Sequence, residues 1–120
     1  MELKTKWEEI VRCVKDEYER FKQDTLKKSP EKIYEESYRI EMYRDFVEYI
    51  SDGFEHITEY ATPEQQADIV NALYRERDKL IYRIYLFCLS SNMFYNFSCY
   101  DDITDCCISY AYHIKCGGLI

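Results

Sequence analysis

A chain of 120 residues and 14.6 kDa has room for one folded domain and its core. An apolar fraction of 47% with 32% charged residues is a globular balance, and the presence of only 3 Gly and 2 Pro excludes a turn-rich β fold or a long linker. The 16 Lys and Arg against 23 Asp and Glu leave a formal charge of −7, the wrong sign for displacing counterions from a phosphate backbone, so direct nucleic-acid binding is not expected.

The first helix is predicted over Leu3–Leu26. Leu3, Trp7, Ile10, Val11, Val14, Tyr18 and Phe21 recur at three and four residues, which is one face of a helix. Glu8, Arg12, Asp16, Arg20 and Asp24 alternate in sign along the opposite face at i,i+4 spacing and read as a solvated, salt-bridged surface. Ser29-Pro30-Glu31 starts a second helix, with a capping hydroxyl, Pro at the first helical position and an acid at the positive end of the dipole. This helix is expected to run from residue 30 to at least 51, with Ile33, Ser37, Ile40, Tyr43, Val47 and Ile50 inward and Phe46 beside them. Gly53 marks a bend or short break, after which the spacing resumes through Phe54 and Ile57.

Thr62-Pro63-Glu64-Gln65 combines an N-cap, a first-position Pro and a capping-box Gln. A third helix is predicted from there to about Leu89, with Ile69, Val70, Leu73, Leu80, Ile81, Ile84 and Cys88 inward. Beyond Lys79 it is apolar almost all round, which suits a central element or a subunit contact. Ser90-Ser91-Asn92 interrupts the pattern. Asp101 or Asp102 is expected to cap a last helix with Ile103, Cys106, Cys107, Tyr110 and Ile114 inward, ended by Gly117-Gly118. The expected fold class is all-α: a compact, single-domain bundle of four to five helices over residues 1–120.

The N-terminus, MELKTKWEEIVRCVKDEYERF, alternates charge with apolar residues and carries no secretory signal pattern. The most apolar stretch, from Leu80 to Leu89, is interrupted by Arg83 and falls far short of the ~18 residues that span a bilayer. A soluble, cytoplasmic protein with free thiols at its 6 Cys is expected, with no membrane partner.

Motifs of catalysis are missing from the sequence. The glycines (Gly53, Gly117 and Gly118) form no phosphate loop, there is no G-x-S-x-G elbow, and neither His56 nor His113 sits in an H-E-x-x-H pattern. Cys106 and His113 are ~10.5 Å apart along a helix axis, too far for a nucleophile pair. His113 and Cys116 at i,i+3 could share zinc with Cys99 or Cys107, but no C-x-x-C pair is present, and buried thiols acting as small apolar residues are the stronger reading. No enzyme activity, no metal and no cofactor are expected. The 9 aromatics between Tyr82 and Tyr112 lack interleaved Lys and Arg, so they read as core or as an oligomer contact rather than a stacking surface for single strands.

Acid is concentrated in one quarter of the chain. No Lys or Arg lies between Arg44 and Arg75, and that interval holds 7 acids: Asp45, Glu48, Asp52, Glu55, Glu59, Glu64 and Asp68. Removing those 7 from 23 leaves 16 acids against 16 bases, so the remainder is balanced. Glu41, Asp45, Glu48, Asp52, Glu55 and Glu59 are spaced 4, 3, 4, 3 and 4. On a continuous helix they form one row ~27 Å long, away from the apolar face, and a break at Gly53 would divide it. Such a row is either a solvated face or a binding surface for a basic partner, one that normally grips a phosphate backbone.

The segments SPEKIYEESYRIEMYRDFVEYI, ALYRERDKL and YDDITDCCISY resemble a family of small uncharacterised helical proteins of gut bacteria, their phages and mobile elements. The resemblance covers roughly half of the chain, in short pieces of helix-forming pattern, and the C-terminal richness in Cys and aromatics departs from it. That family supplies no catalytic residues to carry over. The resemblance implies an accessory protein of a mobile element, a class that includes anti-CRISPR proteins and other inhibitors of host defence, several of which imitate nucleic acid. The functional expectation is a non-enzymatic inhibitor or modulator. It would dock the row from Glu41 to Glu59 on a protein with a basic surface, such as a nucleic-acid-binding enzyme. The alternative expectation is a homodimer or hydrophobic docking module using the aromatic, Cys-rich C-terminal third.

Overall fold

The computed structural model describes residues 2–90 and 100–117, the side chains of 100–103 excepted. Among the described residues it is all-α, with no strand and with 7 α-helices rather than the 4 to 5 expected. They are α1 (Leu3–Leu26), α2 (Pro30–Glu35), α3 (Ser37–Ile50), α4 (Gly53–Tyr60), α5 (Pro63–Arg75), a single 3-10 turn (Arg77–Lys79), α6 (Leu80–Ser90) and α7 (Tyr100–Lys115).

The extra helices arise because two predicted long helices are broken. The second is interrupted at Glu36, where φ −97° and ψ 12° leave the helical basin, and again after Ile50. Lys28 holds the Glu36 carboxylate at 2.9 Å, tying the first break to the end of α1. The predicted third helix is divided by the Arg77–Lys79 turn, where Arg20 of α1 reaches the Asp78 carbonyl at 3.3 Å. Both prolines open helices, as their local sequence predicts. Ser29 accepts from the Lys32 N–H at 3.4 Å, and Thr62 and Gln65 form the reciprocal capping box. The last helix begins at Tyr100, so Asp101 and Asp102 lie in its first turn rather than capping it. Gly117, with φ +79°, ends it in the left-handed conformation that glycine adopts without strain.

One cluster of buried side chains joins the helices. It includes Trp7, Ile10 and Val14 of α1, Tyr43, Phe46 and Ile50 of α3, Ile57 of α4, Leu73 of α5, Ile84 of α6, and Cys106, Cys107 and Tyr110 of α7. Polar ties fasten its rim: Lys115 of α7 reaches Asp68 of α5 at 2.6 Å, and Lys6 of α1 reaches Asn71 of α5 at 2.6 Å. No helix among the described residues is long and apolar enough to cross a membrane.

The break before α4 has a steric cause. A Cβ at Gly53 would stand 2.8 Å from Cζ2 of Trp7 and 3.1 Å from Oγ1 of Thr104, so only glycine lets α4 start this close to α1 and α7. Gly53→Ala is expected to destabilise the fold by about 1–2 kcal/mol. The overpacking outweighs the gain in helix propensity. Urea unfolding checks this: the midpoint should fall with the slope unchanged, and a midpoint at or above that of the parent would refute the packing argument.

Candidate functional site

Residues 41–59 set the register of the acidic row. Met42, Tyr43, Phe46 and Ile50 are the buried positions of α3, and Gly53 and Ile57 those of α4. Carboxylates spaced between them therefore face outward: Glu41, Glu48, Asp52, Glu55 and Glu59 are exposed, and Asp45 is half-buried. The continuous row is corrected to two pieces. Glu41, Asp45 and Glu48 lie on α3, Glu55 and Glu59 lie on α4, and Asp52 stands at the junction as the residue before α4.

The two pieces differ in charge. Arg44 is 3.9 Å from Glu41 and 3.3 Å from Asp45, so the start of the row is locally compensated. Glu48, Asp52, Glu55 and Glu59 make no ion pair among the described residues, and neither does Glu64 in the first turn of α5. The unscreened part of the row therefore begins at Glu48 and runs over α4. A depression beside it is lined by Lys4, Trp7 and Glu8 of α1 together with Ser51, Phe54, Glu55 and Thr58.

Sequence reasoning missed two charged residues, one buried and one half-buried, that tie helices together. Glu17 is 7% exposed, and its carboxylate accepts the Ile81 N–H at 2.9 Å and the Tyr82 N–H at 3.0 Å, so α1 caps the first turn of α6. Burial pushes its pKa above the usual 4.5, against the lowering effect of those two N–H groups. Arg39 stands over four rings, with its guanidinium carbon 4.8 Å from the ring centre of Phe21, 5.1 Å from Tyr43, 5.3 Å from Tyr82 and 5.2 Å from Tyr85. It also donates to the Tyr43 hydroxyl at 3.1 Å, and burial pushes that phenol up to about 12. A signal for Glu17 existed: it falls on the apolar spacing between Val14 and Phe21.

Of the proposed zinc residues, His113 is half-buried, Cys107 is buried, Cys116 is exposed, and Cys99 lies outside the described residues. Among the described residues no group of three or more His, Cys, Asp or Glu is placed to hold a metal ion. Within the aromatic C-terminal third, Phe87 and Tyr110 are in the core with ring centres 5.6 Å apart, while Tyr82 and Leu89 are exposed on α6. No protein-family model matches the chain, and no curated protein or solved structure is significantly similar to it.

Proposed function

We propose that this protein is a non-catalytic binding protein that docks the edge formed by α3 and α4 on a basic protein surface. The observation that carries the reading is the unpaired run of Glu48, Asp52, Glu55 and Glu59, exposed on α3, at the junction and on α4 without ion pairs among the described residues. Glu55 and Glu59, at i,i+4 on α4, disfavour that helix by a few tenths of a kcal/mol, while Asp52 and Glu55 suit the positive end of its dipole. Carboxylates spread along an edge match the Lys and Arg of a groove that holds a phosphate backbone. A host nuclease is the partner class that the family resemblance implies, and inhibition would follow from occupying its nucleic-acid groove.

The test is reversal of Glu48, Asp52 and Glu55 to Lys. Bound to a support, the parent protein is expected to retain basic host proteins that elute as salt rises, because exposed charge pairs are screened beyond ~8–10 Å at physiological ionic strength. The triple variant is expected to retain them at least tenfold more weakly, with a shallower salt dependence. Equal retention by both proteins at every salt concentration would refute the acidic edge as the contact.

A further inference from the structure

Three buried thiols converge where α6 meets α7. Cys88, two residues from the end of α6, is 2% exposed, and Cys106 and Cys107 of α7 are fully buried. The Cys88 and Cys106 sulfurs are 3.5 Å apart, across a sequence separation of 18 residues. A disulfide needs ~2.05 Å, so about 1.5 Å of approach, within the reach of rotamer and small helix shifts, separates the dithiol from the bond. We propose that Cys88 and Cys106 are a peroxide-oxidisable pair that closes a reversible disulfide between α6 and α7.

The chemistry balances with hydrogen peroxide as the oxidant. The Cys88 thiolate attacks one peroxide oxygen, the O–O bond breaks, and hydroxide leaves, giving Cys88 sulfenic acid. The Cys106 sulfur then attacks the Cys88 sulfur, the S–O bond breaks, and the oxygen leaves as water with the Cys106 proton. Overall, two thiols and one peroxide become one disulfide and two waters, with two electrons passing from sulfur to oxygen. Cys88 is the outer of the two sulfurs, 2% exposed against 0% for Cys106, so peroxide meets it first. Either thiol can donate in the contact between them, which lowers the Cys88 pKa and, with burial, raises that of Cys106. Burial first, and the neighbouring Cys88 second, push the Cys107 thiol up and leave it the poorer nucleophile. Burial sets the oxidant class: peroxide is close to water in size, whereas a tripeptide disulfide cannot reach a sulfur at 2% exposure.

The folded protein treated with hydrogen peroxide, then quenched and digested without reductant, is the experiment. The expected result is an intact mass lower by about 2 Da, a single cross-linked peptide pair joining Cys88 to Cys106, and full recovery with dithiothreitol. Cys106→Ser should abolish the mass loss and Cys13→Ser should leave it unchanged. If Cys106→Ser does not fold, fragmentation of the parent's cross-linked peptide still decides between Cys106 and Cys107. A cross-link through any other pair, oxygen added at Cys88 without a cross-link, or no reaction short of unfolding would each overturn the proposal.

Discussion

Glu17→Ala is expected to lower the unfolding free energy by about 2–4 kcal/mol, read from urea denaturation followed by circular dichroism. The substitution removes two charge-assisted bonds and leaves the N–H groups of Ile81 and Tyr82 facing a shortened side chain. The Ile81 bond is buried, so water does not readily replace the lost acceptor. The α6 helix is apolar nearly throughout, and its first turn has no acid of its own, so the cap must come from another helix. The penalty should also depend on pH, with a sign set by linkage. Burial raises the folded pKa of Glu17 above its ordinary 4.5, so the folded state binds its proton more tightly than the unfolded state does. The contribution of Glu17 is therefore largest below pH ~4.5 and declines as pH rises through the folded value. The cost of Glu17→Ala should shrink between acid and neutral pH. Half-buried Glu9 and Glu36, held by Arg12 and Lys28, have lowered values, and their contributions run the other way, fading as pH falls. A penalty that grew from pH 4 to pH 7 would mean that the two N–H groups outweigh burial at Glu17.

Local signals in the sequence located the helix starts. Ser29-Pro30 and the Thr62 to Gln65 box are satisfied within four residues, so no tertiary information was needed to place α2 and α5. The breaks were harder because their causes are distant in sequence. Gly53 was suspected, but the reason for its glycine is the Trp7 ring, 46 positions earlier, and Thr104. The turn at Arg77–Lys79 falls in the charged stretch between Leu73 and Leu80, which helical spacing bridges in two turns, and is met by the Arg20 guanidinium from α1. In the candidate site, helical spacing placed each carboxylate outside the core, because Tyr43, Phe46, Ile50 and Ile57 fix the inward direction. Spacing could not show that Arg44 compensates Glu41 and Asp45 while leaving Glu48 onward unscreened. That depends on rotamers and on where the helix turns. Arg39 was hidden for the same reason. An arginine beside tyrosines reads as surface until α1, α3 and α6 bring four rings to its guanidinium.

Trp7→Ala is expected to cost about 3–5 kcal/mol, the range for truncating a large buried aromatic. The indole is 2% exposed, packs 6.2 Å from the Phe54 ring centre, and donates from Nε1 to the Ile50 carbonyl at 3.1 Å. That carbonyl lies in the last turn of α3, where the helix has no further N–H to offer it. One side chain therefore closes the end of α3, fills the space that Gly53 leaves open, and supports Phe54 at the start of α4. It holds the joint at which the acidic row divides. Trp7→Phe separates these roles: it keeps most of the ring, loses the donor, and should cost about 1–2 kcal/mol. Amide hydrogen exchange distinguishes a joint from a generic core position. In Trp7→Phe the protection of α4 amides should fall further than that of α5 amides. Equal losses in the two helices would show that Trp7 supports the whole core without any special hold on α4. The α3–α4 joint would then owe its angle to Gly53 and Thr104 alone.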